Sequence, residues 1–447
     1  MEDASGFHGH AERLLVPHTE DELREALAAG LPLTIVGAGT GLTGGRVAQG
    51  GGVLSLEKFT RLEVGQGFAV CGAGVTLQDL QSAARAMGQF YAPDPTEWAA
   101  SVGGSIATNA SGSRSFLYGA TRRHVRALRV MFVDGRTVWF RRGEAIDFDV
   151  SPVHAPAVRK HSAGYPLTAG MDWVDLFVGS EGTLAIILEA ELSLQPLPVD
   201  LLTGVVFFAG DSQALAAVDA WRAVAGLRML EYLDGASLNL LRGRFADTPR
   251  AGAAVLFEQE MSSEDAPEFE QWEARLNEAG ALVDQSWFAA TDADRERFRR
   301  FRHALPEAVN DRVRRNGFLK VGSDYAVPVE RNGEMLAYYR ARLDAEFPQQ
   351  AVIFGHIGDA HVHVNILPGT QAQFDRAREV MLEFARKAIA LGGSIAAEHG
   401  LGKRKAHLLE LQYKQQEIDA MKAVKRRLDP RWLLGRGTLF AMPVGEC

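Results

Sequence analysis

Cysteine is almost missing from this sequence: Cys71 and Cys447 are the only two in 447 residues. Two cysteines build no disulfide framework, and no Cys-x-x-Cys pair exists for zinc or redox exchange. That usage suits a reducing, cytoplasmic setting. Cys71 sits in an apolar run and reads as a core residue, while Cys447, at the end of the chain, carries no inferred role. Long apolar runs are missing too. None approaches the roughly 18 residues of a membrane span, and Met1 to His10 has neither the basic start nor the apolar stretch of a signal peptide. Attachment to the face of an inner membrane stays open. Positive charge is not in excess. The formal net charge is -8 and the longest basic cluster is Lys403-Arg404-Lys405, so nothing draws the chain to nucleic acid. What is present, 47% hydrophobic and 23% charged residues, is ordinary for a globular protein with a large core. The length asks for two or three packed domains.

The local patterns predict an α+β chain. Leu14–Pro17 reads as a strand, followed by a helix whose N-cap Thr19 and Glu22 form a capping box. Strands are expected at Leu33–Val36, Val53–Leu56, Leu62–Val64 and Phe68–Cys71, and a helix at Leu77–Met87. Residues 101–120 are dense in small residues with little periodicity. Val125–Phe140 reads as a hairpin around Asp134-Gly135. Val174–Leu194 holds strand-like runs on either side of Gly182. Leu197-Pro198 marks a boundary. Beyond it, strands are expected at 201–208, 253–258, 282–288, 318–329, 352–357 and 361–366. Helices are expected at 214–225, 269–279, 292–315, 374–390 and 412–428.

Two glycine-rich stretches stand out in the first half. Gly37-Ala38-Gly39-Thr40-Gly41-Leu42-Thr43-Gly44-Gly45 contains a Gly-x-Gly-x-x-Gly after a strand, which invites a dinucleotide-binding βαβ reading. That reading needs a helix to start inside the glycine run. Here only Arg46-Val47-Ala48-Gln49 separates the run from Gly50-Gly51-Gly52 and the next strand, which leaves no room for one. A rigid nest of backbone N–H groups around a pyrophosphate fits better than a loose surface turn. The second stretch, Ser101–Gly112, is small enough for close approach of backbone to a ligand. Two such loops suit a long, two-ended cofactor.

The second half carries a histidine block, Gly355-His356-Ile357-Gly358-Asp359-Ala360-His361-Val362-His363, and a separate Glu398-His399 between Gly393 and Gly400. His361 and His363 share one face of a strand, because strand side chains alternate. Two imidazoles and one carboxylate form the ligand set of an open, catalytic zinc-type site. The alternative is a set of surface histidines beside a β-turn.

These blocks carry a resemblance. Gly37–Gly45, Gly103–Gly112, Tyr118-Gly119 and Gly179–Leu184 resemble the FAD-binding domain of the vanillyl-alcohol oxidase and p-cresol methylhydroxylase superfamily. Gly355–Asn365 and Gly393–Gly402 resemble the C-terminal domain of the FAD-linked D-lactate, glycolate and D-2-hydroxyglutarate dehydrogenases. The likeness runs from about Leu14 to Leu439. It implies a two-part FAD-binding domain at 1–198, an inserted α+β substrate or cap domain at 199–392, and a segment at 393–447 that returns to the FAD domain and active site. It implies FAD at Gly37, Gly39, Thr40, Gly41, Leu42, Gly44, Gly103 and Gly104, and at Ile106, Thr108, Asn109, Gly112, Tyr118, Gly119, Glu181, Gly182 and Ile187. The first glycine loop has no histidine to anchor a flavin, which implies non-covalent FAD.

The same resemblance assigns the chemistry. His356, His363 and Glu398 are implied ligands of a divalent ion, zinc first, then manganese or iron. His399 is the implied base that takes the hydroxyl proton while hydride passes from C2 to the flavin N5. Arg302 would clamp the substrate carboxylate, assisted by Lys320; its arginine neighbours 295, 297, 299 and 300 leave a plain solvated helix face as the alternative. The substrate would be a small D-2-hydroxy acid, D-lactate or glycolate foremost. The electron acceptor (quinone, cytochrome or electron-transfer flavoprotein) and a homodimer are left open. Three positions depart from the family pattern: His361 stands where asparagine is usual, Ser111 replaces a glycine, and Leu434–Thr438 replaces Asn-Pro-Gly-Lys. Two other branches weigh less. Alkyl-glycerone-phosphate synthases carry runs of adjacent histidines, which this chain lacks. Accessory glycolate oxidase subunits tend to lose the Glu-His loop, which is intact here.

Overall fold

A three-stranded parallel sheet opens the chain. The computed structural model describes residues 2–3, 5–262 and 268–440, so Cys447 lies outside the described residues. In the opening sheet, Gly52–Ser55 lies between Arg13–Leu15 and Leu33–Val36. The helix Glu20–Ala28 makes the crossover because Leu23 and Leu27, four apart, bury one face. Thr19 Oγ1 accepts from the Glu22 N–H at 3.2 Å, as expected of the cap, while Glu22 itself reaches back to the His18 N–H at 2.6 Å. Residues 37–51 form turns and bends with no helix, the outcome the triple glycine dictates.

The next sheet has five antiparallel strands in the order Leu62–Gly65, Phe68–Gly72, Ile186–Ser193, Val125–Met131, Thr137–Arg141. The Asp134-Gly135 turn closes the expected hairpin, with Met131 opposite Thr137. Cys71 is fully buried in this sheet, and burial pushes its thiol up to about 12, so it behaves as a small core hydrophobe. Two expectations fail here. Val174 begins no strand; the Asp172 side chain caps the Asp175 N–H and starts the helix Trp173–Phe177. The small-residue stretch holds the helices Val102–Ala107, capped by Ser101, and Ser115–Tyr118. A six-residue helix is too short for a periodic signal.

The second half is built on a seven-stranded sheet, Trp287–Phe288, Asp200–Phe208, Ala253–Met261, Leu227–Asp234, Ala351–Gly355, His363–Ile366, Val321–Gly322. Its central strand, Leu227–Asp234, has no counterpart in the sequence reading. All eight of its residues are buried, yet Arg228, Glu231 and Asp234 break the apolar run that would have betrayed it. The expected strands at 282–288 and 318–329 shrink to two residues each. The first is mostly a 3-10 turn at Val283–Gln285. The second keeps Val321–Gly322 and beyond it holds only isolated bridges from Ala326 to His361 and Ser394. Asp292–Asn316 is one helix of 25 residues despite Pro306.

The end of the chain returns to its beginning. The Leu33 N–H donates to the Leu433 carbonyl at 2.6 Å, and the Gly435 N–H donates to the Leu33 carbonyl at 2.8 Å. This return brings loops from the first sheet, the large sheet and the C-terminal segment around one cavity.

Candidate active site

A cavity of 1550 Å³ runs between the glycine loops and the edge of the large sheet. At one end lies the nest. The N–H groups of Gly39, Thr40, Gly41 and Leu42 have no hydrogen-bond partner among the described residues, and all four residues line the cavity. Around Gly41 and Gly45 a side-chain carbon would meet nothing within 4 Å. Ser101 joins the two glycine stretches: its Oγ accepts from the Ala38 N–H at 3.3 Å and the Gly104 N–H at 3.2 Å. A Cβ on Gly37 would sit 2.0 Å from that oxygen, so only glycine fits there.

At the other end four imidazoles gather around a carboxylate. His356 follows the strand Ala351–Gly355, and His363 opens its antiparallel neighbour opposite Phe354. Gly355 takes φ +125, and a Cβ there would press 2.9 Å against the His363 ring, which is why the strand ends in glycine. Glu398 Oε2 faces His356 Nε2 at 3.1 Å and His363 Nε2 at 3.8 Å. One nitrogen from each of His356, His361 and His363, and one oxygen of Glu398, lie within 4.8 Å of one another. His361 is fully buried and does not line the cavity. Its Nε2 stands 3.1 Å from Asp324 Oδ1, too far off line for a hydrogen bond, and among the described residues neither of its ring nitrogens has a hydrogen-bond partner.

Buried carboxylates orient these rings. Glu231 Oε1 accepts from His356 Nδ1 at 2.5 Å, which leaves Nε2 toward Glu398. Burial alone would raise the Glu231 carboxyl, but Arg302 and His356 hold it down at about 2. Asp324 Oδ2 accepts from the His399 N–H at 3.0 Å, and Oδ1 stands 3.3 Å from His399 Nδ1. Glu398 is pinned through its other oxygen: Oε1 accepts from Ser111 Oγ at 2.6 Å, the Gly112 N–H at 2.8 Å and Lys160 Nζ at 2.7 Å. Burial would raise Glu398 too, yet His356 and Lys160 hold it well below the usual carboxylate range. Burial, with repulsion from His361, His356 and His399, drives His363 well below its ordinary value, so its imidazole is neutral.

Comparison with known proteins completes the description. Residues 11–141 match the FAD binding domain family, and residues 198–439 match the C-terminal domain of the FAD linked oxidases. This chain belongs to the FAD-linked oxidases. It is 32% identical over 425 residues to a D-lactate dehydrogenase of Archaeoglobus fulgidus, covering 93% of this chain and 87% of that protein. It is 30% identical over 456 residues to glycolate oxidase subunit GlcD of Bacillus subtilis, covering 97% and 90%. A solved alkyldihydroxyacetonephosphate synthase superposes with a TM-score of 0.66 at 15% identity, covering 94% of this chain and 76% of that one; that likeness is one of fold. The chain is therefore an FAD-dependent oxidoreductase of the vanillyl-alcohol oxidase and p-cresol methylhydroxylase superfamily, in the D-2-hydroxy-acid dehydrogenase group. Its α+β fold is a two-part FAD-binding domain with an inserted cap.

Of the residues expected at this oxidase's FAD, Gly37, Gly39, Thr40, Gly41, Leu42, Gly103, Gly104, Thr108, Gly112, Glu181, Gly182 and Ile187 line the cavity. The Gly103 and Gly104 amides are already committed, to the Ala73 carbonyl and to Ser101 Oγ. These glycines serve close packing, since a Cβ on Gly103 would lie 2.7 Å from Ala73. Five expected residues do not line the cavity. Gly44 donates its N–H to Asp3, Ile106 is core, and Asn109 Oδ1 accepts from the Arg122 N–H. Tyr118 bonds Glu260, and Gly119 packs on Arg123. Glu181 turns to the backbone of Leu401 and Gly402.

Arg302 and Lys320 both line the cavity. Arg302 leaves Arg295, Arg297 and Arg299, which pair with surface acids, and donates Nε to Glu231 at 2.8 Å and Nη1 to Thr96 at 3.2 Å. Among the described residues its Nη2 has no partner. Lys320 is exposed where it lines the cavity, and the surrounding protein together with Lys405 lowers its ammonium to about 8. Lys160, Glu231 and Asp324 escaped the sequence reading. Lys160 sits in a stretch without regular structure, and Glu231 lies in the strand that was missed. Asp324 had a usable signal, a lone acid just after Lys320 and Ser323.

Among the described residues, no helix is long and apolar enough to cross a membrane.

Proposed function

We propose that this oxidase converts a small D-2-hydroxy acid, D-lactate or glycolate foremost, to the 2-oxo acid, with non-covalent FAD and a divalent metal, zinc first. The unpaired amides of Gly39–Leu42 fit a pyrophosphate, and the neutral His363, His356 Nε2, His361 and Glu398 Oε2 fit a cation. Ligands of a tetrahedral ion held at about 2.0–2.1 Å lie roughly 3.3 Å apart, and the observed 3.1 and 3.8 Å bracket that value. When bound, FAD accepts the hydride leaving C2 and the cation lowers the pKa of the 2-hydroxyl. His399 takes the hydroxyl proton: Asp324 Oδ1 stands 3.3 Å from its Nδ1, so Nε2 is the nitrogen assigned to the substrate. Arg302 Nη2 and Lys320 bind the substrate carboxylate. The reading of the chain as a FAD domain at 1–198, a cap at 199–392 and a returning segment at 393–447 is supported by the two family matches and by the contacts of Leu33 with Leu433 and Gly435.

The single observation that carries the reading is the convergence of His356, His363, Glu398 and His399 in the same cavity as the nest. The test is an anaerobic visible spectrum of the purified protein titrated with D-lactate, glycolate and D-2-hydroxyglutarate. Bleaching of the flavin by at least one acid is expected, and acid precipitation should leave the flavin in solution. Flavin that none of these acids bleaches would favour the second reading, an accessory subunit of a glycolate oxidase-like complex, which the likeness to GlcD supports. The electron acceptor is read as a quinone, cytochrome or electron-transfer flavoprotein, with peripheral membrane contact and homodimer formation as further parts of the proposal.

Two results follow for the carboxylate grip. Arg302→Ala should raise KM and lower kcat/KM about 10- to 150-fold, the ~1.5–3 kcal/mol of hydrogen bonds to a charged group, with FAD content unchanged. Steady-state kinetics check this, and near-normal values would move the role elsewhere. Lys320 is charged below about 8 and neutral above it. KM should therefore climb as pH rises through 8, and Lys320→Met should flatten that climb while raising KM at lower pH.

A further inference from the structure

The loop that carries Glu398 and His399 is held from both sides. On the Glu398 side the grip is on the side chain, through Ser111, Gly112 and Lys160. On the other side it is on the backbone. Three successive amides each donate to a side-chain oxygen: Gly400 to Ser162 Oγ at 3.1 Å, Leu401 to Glu181 Oε1 at 2.9 Å, and Gly402 to Glu181 Oε2 at 2.8 Å. One carboxylate takes two neighbouring amides, one on each oxygen, and so fixes the direction of the chain between them. The fit leaves no slack. A Cβ on Gly400 would lie 2.6 Å from the Glu181 carboxyl carbon, and one on Gly402 would lie 2.1 Å from the Thr43 carbonyl oxygen. Glu181 itself sits at φ +52, a left-handed conformation uncommon for a residue with a side chain. Such strain persists where the surroundings over-determine it, and it clusters at functional sites.

The His399 ring is about a third exposed, with Asp324 beside only one of its nitrogens. The His363 ring stacks on it, with centroids 5.6 Å apart, and the backbone on either side fixes where the ring enters the site. We propose that Glu181 is a positioning residue, whose carboxylate clasps the Gly400–Gly402 backbone and so aims His399 at the substrate hydroxyl, instead of contacting the cofactor. This rests on the reading of His399 as the base.

The test uses holoenzyme carrying Glu181→Gln or Glu181→Ala. Gln keeps one acceptor and Ala keeps none. Misplacing a base by an ångström costs up to about 10²-fold, so the rate constant of flavin reduction should fall about tenfold in Gln and about a hundredfold in Ala. The substrate dissociation constant, FAD content and metal content should hold. Hydrogen exchange of the 400–402 amides should quicken in the same order. If Ala does not fold, Gln alone decides. Loss of FAD would overturn the proposal and make Glu181 a cofactor contact. An unchanged reduction rate would overturn it, and so would a matching rise in the substrate dissociation constant. If wild-type flavin is bleached by no 2-hydroxy acid, the base assignment fails on its own, and amide exchange still reports whether the clasp exists.

Discussion

His399→Ala protein is expected to keep its FAD and its metal and to reduce its flavin about 10²- to 10⁴-fold more slowly, the range supplied by a positioned general base. Glu398→Ala and His363→Ala should fail differently, losing metal and activity while keeping FAD. The separation follows from the geometry. Glu398 and His399 are neighbours with different partners, although an oxygen of one and a nitrogen of the other lie within 4.8 Å: Glu398 Oε2 points to His356 and His363, while His399 lies against Asp324 and opens on the cavity. Flavin content by absorbance, metal by elemental analysis and stopped-flow bleaching read the three quantities separately. His361→Asn restores the residue usual in the family and removes an imidazole that lies in the cluster but not on the cavity. Metal retained in that variant makes His361 a supporting ring; metal lost makes it a ligand. Full activity after exhaustive chelation, with no metal detected, would sink the metal assignment and leave His399 and Asp324 as the proton-handling pair.

The site was legible where its chemistry is written in rare residue types at short spacing. The glycine nest needs only local geometry, and four histidines with a glutamate name their own partners. The FAD-linked oxidase family was legible for the same reason, since its blocks are short and dense. What stayed hidden depends on distant chain segments. Lys160 reaches Glu398 across 238 residues, and Glu231 reaches His356 across 125. No period or spacing encodes such pairs. The strand Leu227–Asp234 stayed hidden because its buried charges, of which Glu231 serves the site, erase the apolar pattern that marks a buried strand. Glu181 was legible as important but not in its role, because a motif does not say whether a carboxylate faces a ligand or a backbone. The amides of Gly103 and Gly104 show the same limit: small residues permit close approach, and here the close neighbours are Ala73 and Ser101.

Lys160→Met should destabilise the metal-free protein by about 3 kcal/mol near neutral pH, the low end of what breaking a buried ion pair costs. The Lys160 side chain is 1% exposed, and its ammonium touches Glu398 Oε1 at 2.7 Å, the Gly112 carbonyl at 2.8 Å and Asp359 Oδ2 at 3.3 Å. The low end applies because both acids keep other donors: Ser111 and the Gly112 N–H for Glu398, Arg159 and Ser115 for Asp359. The penalty should depend on pH with a definite sign. Glu398 is held well below its ordinary value in the folded protein, so its ionisation contributes stability above the unfolded pKa, and that contribution is lost as pH falls through the folded one. Removing Lys160 raises the folded pKa and shrinks the contribution. The gap between variant and wild type should therefore be widest near neutrality and close in acid. A bound cation should narrow it as well, because it supplies the positive charge that Glu398 has lost, and ligands that bind only the folded state stabilise it. Urea unfolding at neutral pH and at a pH taken below the ordinary carboxylate range, with and without zinc, measures all of this. A penalty that is the same at both pH values and indifferent to zinc would mean that Lys160 serves packing alone.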